Sequence, residues 1–394
     1  MIYLNQLGIV CPLGSSREQV KQRLLDRGQS GVSLTDDYSP GRLLPLGCID
    51  AELPLPPVNH LDVTARSRNN QVALAALAQI RSAVDSAIEY CGKGRFGIVI
   101  GTSTSGIAES EAAFRHYARK GSLPERFHYG QQELSSLATL LAEELDVWGP
   151  AYVHSSACAS SAKALASAAR LLRTGACDAV LTGGVDTLCG FTVAGFDALE
   201  SVSATRCNPL SRNRTGINIG EGGALFLMSR EPGPVALRGW GESSDGYHVS
   251  APDPSGTGAR LAIERALLCA GISAESIDYI NLHGTGTVQN DAMEARVIHD
   301  LFGDAVAVSS TKPLTGHSLG AAGAIEAGLC WLALQDDNPA GRLPPHLWDG
   351  IPDPTLPALN VAEPGSRLGR RLDWILSNSF AFGGANAALV FGRG

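Results

Sequence analysis

Two periods alternate along the chain: short apolar runs of strand length, and longer Ala/Leu faces at helical spacing. Residues 2–10 read as a strand and Pro12-Leu13-Gly14 as its closing turn. A short polar helix over 17–27 and a Pro-rich irregular stretch over 30–60 follow. An Ala/Leu/Ile pattern predicts one helix over 70–90. FGIVI at 96–100 is continuously apolar, as in a strand buried on both faces, and runs into the turn GTSTSG. Residues 107–148 read as mostly helical, with a loop near 123–130. The stretch 151–190 reads strand, sharp turn, helix, strand: an apolar run at 151–153, small residues packed around Cys158, a helix ending in Arg170 and Arg173, and a second apolar run before Gly183-Gly184. Gly175 suits a C-terminal cap.

The second part repeats this plan. A strand at 224–228 leads to Glu231-Pro232-Gly233-Pro234, a linker by composition, and a strand restarts at 235–242. A helix over 258–270 and a strand over 277–282 run into His283-Gly284-Thr285-Gly286-Thr287. A strand at 305–309, the segment 312–317, a small-residue helix to Leu334, a Pro-rich loop over 338–360 and strands at 374–376 and 387–391 complete the chain. FGIVIGTSTSG is echoed by IDYINLHGTGT, and the Cys158 strand–turn–helix by VAVSS followed by GHSLGAAGAIEAGLCWLAL. Each half closes on a Gly-Gly pair and a strand. The expectation is an α/β protein built from two like halves, 1–232 and 233–394, in one unit, with Cys158, His283 and His317 meeting at the pseudo-twofold centre, where strand carboxyl ends form sites.

Composition narrows the function. A net charge of −8 argues against general nucleic-acid binding. No apolar run reaches 18 residues, and the N-terminus has no basic signal-peptide region. Nine Cys without metal-type spacing fit free thiols in a reducing cytoplasm, with no metal expected.

The turn at Cys158 gives the thiol a chemical reading. Unpaired N–H groups at a helix N-terminus favour thiolate, the nucleophilic form, and the small neighbours leave room for an acyl group. Alone, the same Cys also fits an inert buried thiol. The motifs SSACASSAKAL, NLHGTGT, KPLTGHSLGAAGAIEA and NSFAFGGAN, in this order, resemble the elongating β-ketoacyl-acyl-carrier-protein synthases of the thiolase superfamily. Weaker similarity (IGTSTSG, CNPLSRNRTGINIGEGGA) extends the resemblance over nearly the whole chain.

The resemblance implies a duplicated αβαβα five-layer fold, a dimer, and decarboxylative condensation of an acyl group on Cys158 with a malonyl-type extender held on an acyl carrier protein. It implies a Cys158, His283, His317 triad with Lys312 held by Glu326. It also implies oxyanion donors at Cys158 and Phe382, an aromatic gate at Phe380, Ala381 and Phe382, and hydroxyls at Thr285 and Thr287 for the pantetheine arm. That arm arrives on the carrier, so no bound cofactor is expected. Thr104 falls in a segment that lines the acyl tunnel in the family, and Arg66, Arg68 and Arg206 in segments that flank its mouth. Asp291 and Glu294 read either as an exposed helix start or as a pair holding the active-site turn. The remaining histidines, His60, His116, His128, His154, His248, His299 and His346, read as ordinary surface or core residues.

Rival motifs fit less well. Gly316-His317-Ser318-Leu319-Gly320 matches the nucleophile elbow of serine esterases, with Ser318 as nucleophile, but Pro313 and Gly316 interrupt the strand such an elbow needs. Ser309-Ser310-Thr311-Lys312 matches SxxK without the companion motifs. A non-catalytic partner subunit of the chain-length-factor kind is the better alternative; Cys158 argues for an active subunit, alone or in a heterodimer with an inactive relative. Two departures from the family, Ala381 where Gly is usual and Thr104 where an apolar residue is common, point to a specialised route such as aryl polyene or another polyene. The Ala381 expectation is a gate restricted by lost positive-φ freedom, and the Thr104 expectation is a wider acyl pocket.

Overall fold

A computed structural model describes the backbone of residues 1–394 and the side chains of all but Asp26 and Arg27. The first half runs β1 (Tyr3–Val10), α1 (Arg17–Lys21), β2 (Val32–Thr35), β3 (Leu44–Gly47), α2 (Arg68–Ala78), α3 (Arg81–Cys91), β4 (Phe96–Gly101), α4 (Ile107–Lys120), α5 (Ser136–Glu144), β5 (Ala151–His154), α6 (Ser160–Arg173), β6 (Ala179–Asp186), α7 (Gly190–Ala198) and β7 (Gly222–Ser229). The second runs β8 (Val235–Ser244), α8 (Thr257–Ala270), β9 (Tyr279–Asn281), α9 (Val288–Phe302), β10 (Ala307–Ser309), α10 (Lys312–Thr315), α11 (Ala322–Ala333), β11 (Asn360–Val361), β12 (Trp374–Ala381) and β13 (Ala385–Arg393).

Eleven strands form one sheet in the order β11-β10-β9-β12-β13-β8-β1-β7-β6-β4-β5. Read outward from the centre, one half goes β1, β7, β6, β4, β5 and the other β8, β13, β12, β9, β10. The two orders correspond step by step, with β11 added outside, so the duplication heard in the motifs is present in the topology. In each half the inner pairs are antiparallel and the outer ones parallel. The halves join edge to edge through Tyr3↔Ala236 and Leu4↔Val235.

Packing makes five layers. Helix α6 lies against β4 and β6 of its own half and β8 and β13 of the other; α11 lies against β12 and against β1, β6 and β7. Both are therefore sandwiched between the halves, and all twelve residues of α11 are buried. Helices α2, α3 and α5 cover the outer face of the first half, and α8, with α9 beside it, that of the second. Burying a helix on every side requires the all-round small and apolar sequence AGAIEAGLCWLA, which no amphipathic surface helix shows.

Several expected elements are corrected. The stretch 70–90 is two helices, α2 and α3: the Gln79 side chain donates to the Ile9 and Ser15 carbonyls and accepts from the Ile9 N–H, anchoring the break to β1. The stretch 30–60 contains the β2–β3 hairpin. The two closing strands are longer than their apolar centres and form a continuous hairpin, β12–β13, turning at Phe382–Gly384. Helix α7 lies in a stretch to which the periodicity assigned no element.

Candidate active site

Cys158 sits on a strained elbow between β5 and α6. Ala157 before it has φ 47°, a left-handed conformation costly for a residue with a Cβ. Ser160 Oγ fixes the elbow by accepting from Ser156 N–H (2.8 Å) and donating to Ala157 O (2.6 Å). Gly101, which ends β4, and Gly184, within β6, let α6 reach this place: a Cβ on Gly101 would lie 2.3 Å from Ser161 N, and one on Gly184 2.4 Å from Ser161 Cβ.

The sulfur faces the second half. His317 Nε2 lies 3.1 Å from Cys158 Sγ. The rings of His283 and His317 stand edge to face, centroids 5.3 Å apart, and Phe380 packs edge-on to His283 at 6.1 Å. The backbone N–H groups of Phe382 and of Cys158 itself reach the sulfur. The site combines the elbow from one half with turns after β9, α10 and β12 from the other, so neither half contains it alone.

Lys312, fully buried at the start of α10, pairs with Glu326 on α11 at 2.6 Å, donates to the His283 carbonyl oxygen, and lies 3.4 Å from His283 Nδ1. Burial, and then the Lys312 charge, hold both His283 and His317 well below the usual imidazole range; the neighbouring His317 adds to this for His283. Both rings are neutral near pH 7. Burial also pushes the Cys158 thiol up to about 11, against the opposing pull of Lys312 and the two N–H groups. The helix N-terminus therefore does not leave a resting thiolate, as the sequence suggested; desolvation outweighs it. Sγ and one ring nitrogen of each histidine lie within 4.8 Å of one another. With the Lys312 ammonium alongside, that point favours an oxygen gaining negative charge over a cation.

Asp291 and Glu294 are not an exposed helix start. Both are buried on α9. Glu294 accepts from the N–H groups of His283 (2.8 Å) and Gly284 (2.7 Å). Asp291 accepts from Leu210 N–H (2.8 Å) and Gly286 N–H (3.2 Å). They hold the 283–286 turn.

The pocket over the sulfur is lined by His283, His317, Thr285, Thr287, Phe380, Ala381 and Phe382, with Phe196 and Ile217 opposite. The Thr285 and Thr287 hydroxyls bond each other at 2.9 Å, and Phe382 packs on Phe196 at 5.4 Å. Ala381 has φ −110°, so its Cβ imposes no strain in this conformation, and positive φ falls at Gly383 and Gly384.

Thr104 does not line this pocket: its hydroxyl donates to Asp186 (2.9 Å) and accepts from Thr187 N–H (3.3 Å). Asp186 itself escaped the sequence reading. Its carboxylate also accepts from Thr102, from Ser103 and from Gly320 N–H (2.6 Å), so one buried side chain ties the β4 turn to the turn after His317. The cluster of hydroxyls in TSTSG opposite an Asp at a strand end was the available signal.

Arg68 is partly exposed, and its guanidinium bonds buried Glu221 at 2.6 and 3.0 Å. Arg66 bonds Leu61 O (2.8 Å), and Arg206 is exposed. Ser318 Oγ is buried without a hydrogen-bond partner among the described residues and no strand feeds it, so the esterase elbow is absent.

Residues 62–232 match the family described as Beta-ketoacyl synthase, N-terminal domain, and residues 235–347 match Beta-ketoacyl synthase, C-terminal domain. Nodulation protein E of Rhizobium meliloti is 31% identical over 360 residues, 88% of each chain. 3-Oxoacyl-[acyl-carrier-protein] synthase 2 of Staphylococcus aureus (strain COL) is 30% identical over 416 residues, covering 99% of this chain and 97% of its own. One chain of the ketosynthase ApeO in complex with its chain length factor ApeC, from Xenorhabdus doucetiae, superposes with a TM-score of 0.93 at 44% identity, covering 100% of this chain and 98% of its own.

Proposed function

The chain belongs to the β-ketoacyl synthase family and is a condensing enzyme of fatty-acid or polyketide chain elongation, and from that premise we propose that Cys158 is its nucleophile and His283 and His317 its catalytic histidines. The observation that carries this is the 3.1 Å approach of His317 Nε2 to Cys158 Sγ, with neutral His283 beside it.

In the acyl transfer, sulfur attacks the carbonyl carbon of an acyl thioester as the thiol proton passes to His317 Nε2. The carrier thiolate leaves and takes that proton back, so the ring ends neutral. The oxyanion formed on the way is met by the N–H groups of Cys158 and Phe382; one such donor is worth about 10²–10³ in rate. A malonyl thioester then breaks its bond to CO2. The electron pair enters an enolate whose oxygen accepts hydrogen bonds from Nε2–H of His283 and, once the remaining His317 proton has passed through water from Nδ1 to Nε2, from Nε2–H of His317. The enolate carbon attacks the acyl carbon, and Cys158 leaves as thiolate and takes up one proton from solvent, which restores the resting thiol. Lys312, fixed by Glu326, holds the His283 carbonyl and keeps that ring neutral. Thr285 and Thr287 face the pantetheine arm of the carrier, so the protein needs no bound cofactor of its own. Phe380, Ala381 and Phe382 form the gate.

The whole-length likeness to a ketosynthase–chain length factor complex supports an active subunit that works as a dimer, with a second copy or with a related inactive subunit. Arg66, Arg68 and Arg206 stand as the docking candidates for an acyl carrier protein. No helix among the described residues is long and apolar enough to cross a membrane. The free thiols are the ground for placing the enzyme's work in the cytoplasm, and the residue identities at 104 and 381, rather than an effect on this pocket, are the ground for polyene or aryl polyene chains.

The test is a pair of variants. Cys158→Ala abolishes acyl loading and condensation. Cys158→Gln, whose amide imitates an acyl-thioester, keeps malonyl-carrier decarboxylation. Condensation by Cys158→Ala sinks the assignment. Loss of acylation in Ser318→Ala alone restores the esterase reading. Co-expression with a related subunit lacking the Cys, followed by size-exclusion chromatography, separates homodimer from heterodimer.

A further inference from the structure

His346, which the sequence reads as an ordinary histidine in a Pro-rich loop, is fully buried and packs edge-on against Trp348, centroids 5.6 Å apart. Its Nδ1 accepts from Ser310 N–H at 3.0 Å, and its Nε2 lies 2.9 Å from Pro209 O. A backbone N–H can only donate and a carbonyl oxygen only accept, so the ring is neutral with its proton on Nε2. Burial, which pushes its pKa down to about 4, agrees.

Each ring nitrogen leads to the same turn. On one side, Ser310 Oγ donates to Gly284 O (2.6 Å) and accepts from Lys312 N–H (3.3 Å). On the other, Pro209 precedes Leu210, whose N–H is held by Asp291, and Asp291 in turn accepts from Gly286 N–H. The 283–286 turn is thus gripped at Gly284 and at Gly286 by chains that converge on one imidazole. The His346 N–H donates to Ala362 O (2.7 Å), which fixes the backbone from which the ring projects.

We propose that His346 is a positioning residue: its imidazole sets the separation of Ser310 and Pro209, and through them the place of the His283 ring and of Lys312. It touches neither substrate nor the reacting sulfur. The proposal rests on the assignment of His283 to decarboxylation. It goes beyond that assignment by naming a group outside the pocket that decides whether the ring is in place. Catalytic groups displaced by about 1 Å lose up to about 10²-fold in rate. The cost should fall on decarboxylation, which uses His283, and spare acylation of Cys158, which uses the elbow and His317.

The experiment compares His346→Phe, which fills the space but bonds neither segment, with His346→Asn, whose Oδ1 can still accept from Ser310 N–H. His346→Phe is expected to lower kcat for malonyl-carrier decarboxylation roughly tenfold or more with KM nearly unchanged. The rate of Cys158 acylation should stay within about threefold, and hydrogen exchange should rise in peptides spanning 282–286 and 309–313. His346→Asn should recover most of the loss. Equal falls in acylation and decarboxylation, unchanged exchange in those peptides, or no recovery by Asn overturns the proposal. The His283→Ala control separates the two levels. Its loss of decarboxylation with a wild-type His346→Phe sinks this inference alone, whereas full decarboxylation by His283→Ala sinks the histidine assignment and this inference with it.

Discussion

Burial of charged and titratable side chains decides how this site works, and each has its own sign. His283 and His317 are held below the imidazole range by desolvation and by Lys312. Malonyl decarboxylation by Cys158→Gln should therefore stay level from pH 8 down through about 6.5, the ordinary imidazole value. A half-loss centred near 6.5 would show that the rings take up protons as free imidazoles do. Glu294 behaves oppositely: burial raises it from 4.5 to about 7. The folded chain then binds a proton that the unfolded chain has lost, so this group contributes stability fully below about 4.5, and the contribution disappears as pH rises through about 7. The stability gap between wild type and Glu294→Gln should narrow from pH 5 to pH 8 in urea titrations; a widening gap refutes the shift. The residues proposed for this chemistry, which the structure brings together, could be singled out because their motifs are local: Cys158, His283, Lys312 and His317 each lie in a short run of small residues. What was not legible was burial. Asp291 and Glu294 look like a solvated helix start in one dimension, and His346 and Asp186 owe their partners to segments far away in the chain.

At the scale of elements, α6 must approach β4 and β6 closely enough to aim the elbow at the other half. Gly101→Ala places a methyl 2.3 Å from Ser161 N, a backbone atom that cannot swing aside. Overpacking of this kind costs about 1–3 kcal/mol, and here it also tilts the helix that follows the Cys158 elbow. The expected result is a lower Tm with a larger fall in the acylation rate of Cys158 than in carrier binding, read by calorimetry and by burst kinetics. An unchanged acylation rate would mean that the approach does not position the sulfur. Periodicity found most helices and strands, yet it merged α2 with α3. The break depends on one Gln side chain reaching β1 rather than on a Gly or Pro, and no helix rule marks it. The hairpin β2–β3 was hidden for a related reason: its strands form a two-stranded sheet apart from the main one, and LPLG reads as loop.

For the whole molecule, the two inner helices matter more than the sheet seam. The halves share only two residue pairs at β1 and β8, whereas α6 and α11 each pack on strands of both. Full-length protein should unfold in one calorimetric transition, and residues 1–232 or 233–394 expressed alone should fail to give a cooperative melt, because each would expose a helix face built for the other. Two separated transitions, or a folded half, would show that the units are independent.

The place of β1 also has a consequence during synthesis. Tyr3 pairs with Ser229 and Val10 with Gly223, and the other neighbour, β8, comes later still. β1 therefore leaves the ribosome well before either neighbour and waits, with two unpaired edges, until β7 and β8 have followed it. Such a segment is a target for holding chaperones and a nucleus for aggregation. Nascent chains stopped before β7 should bind chaperone through YLNQLGIV, and those extended past β8 should release it.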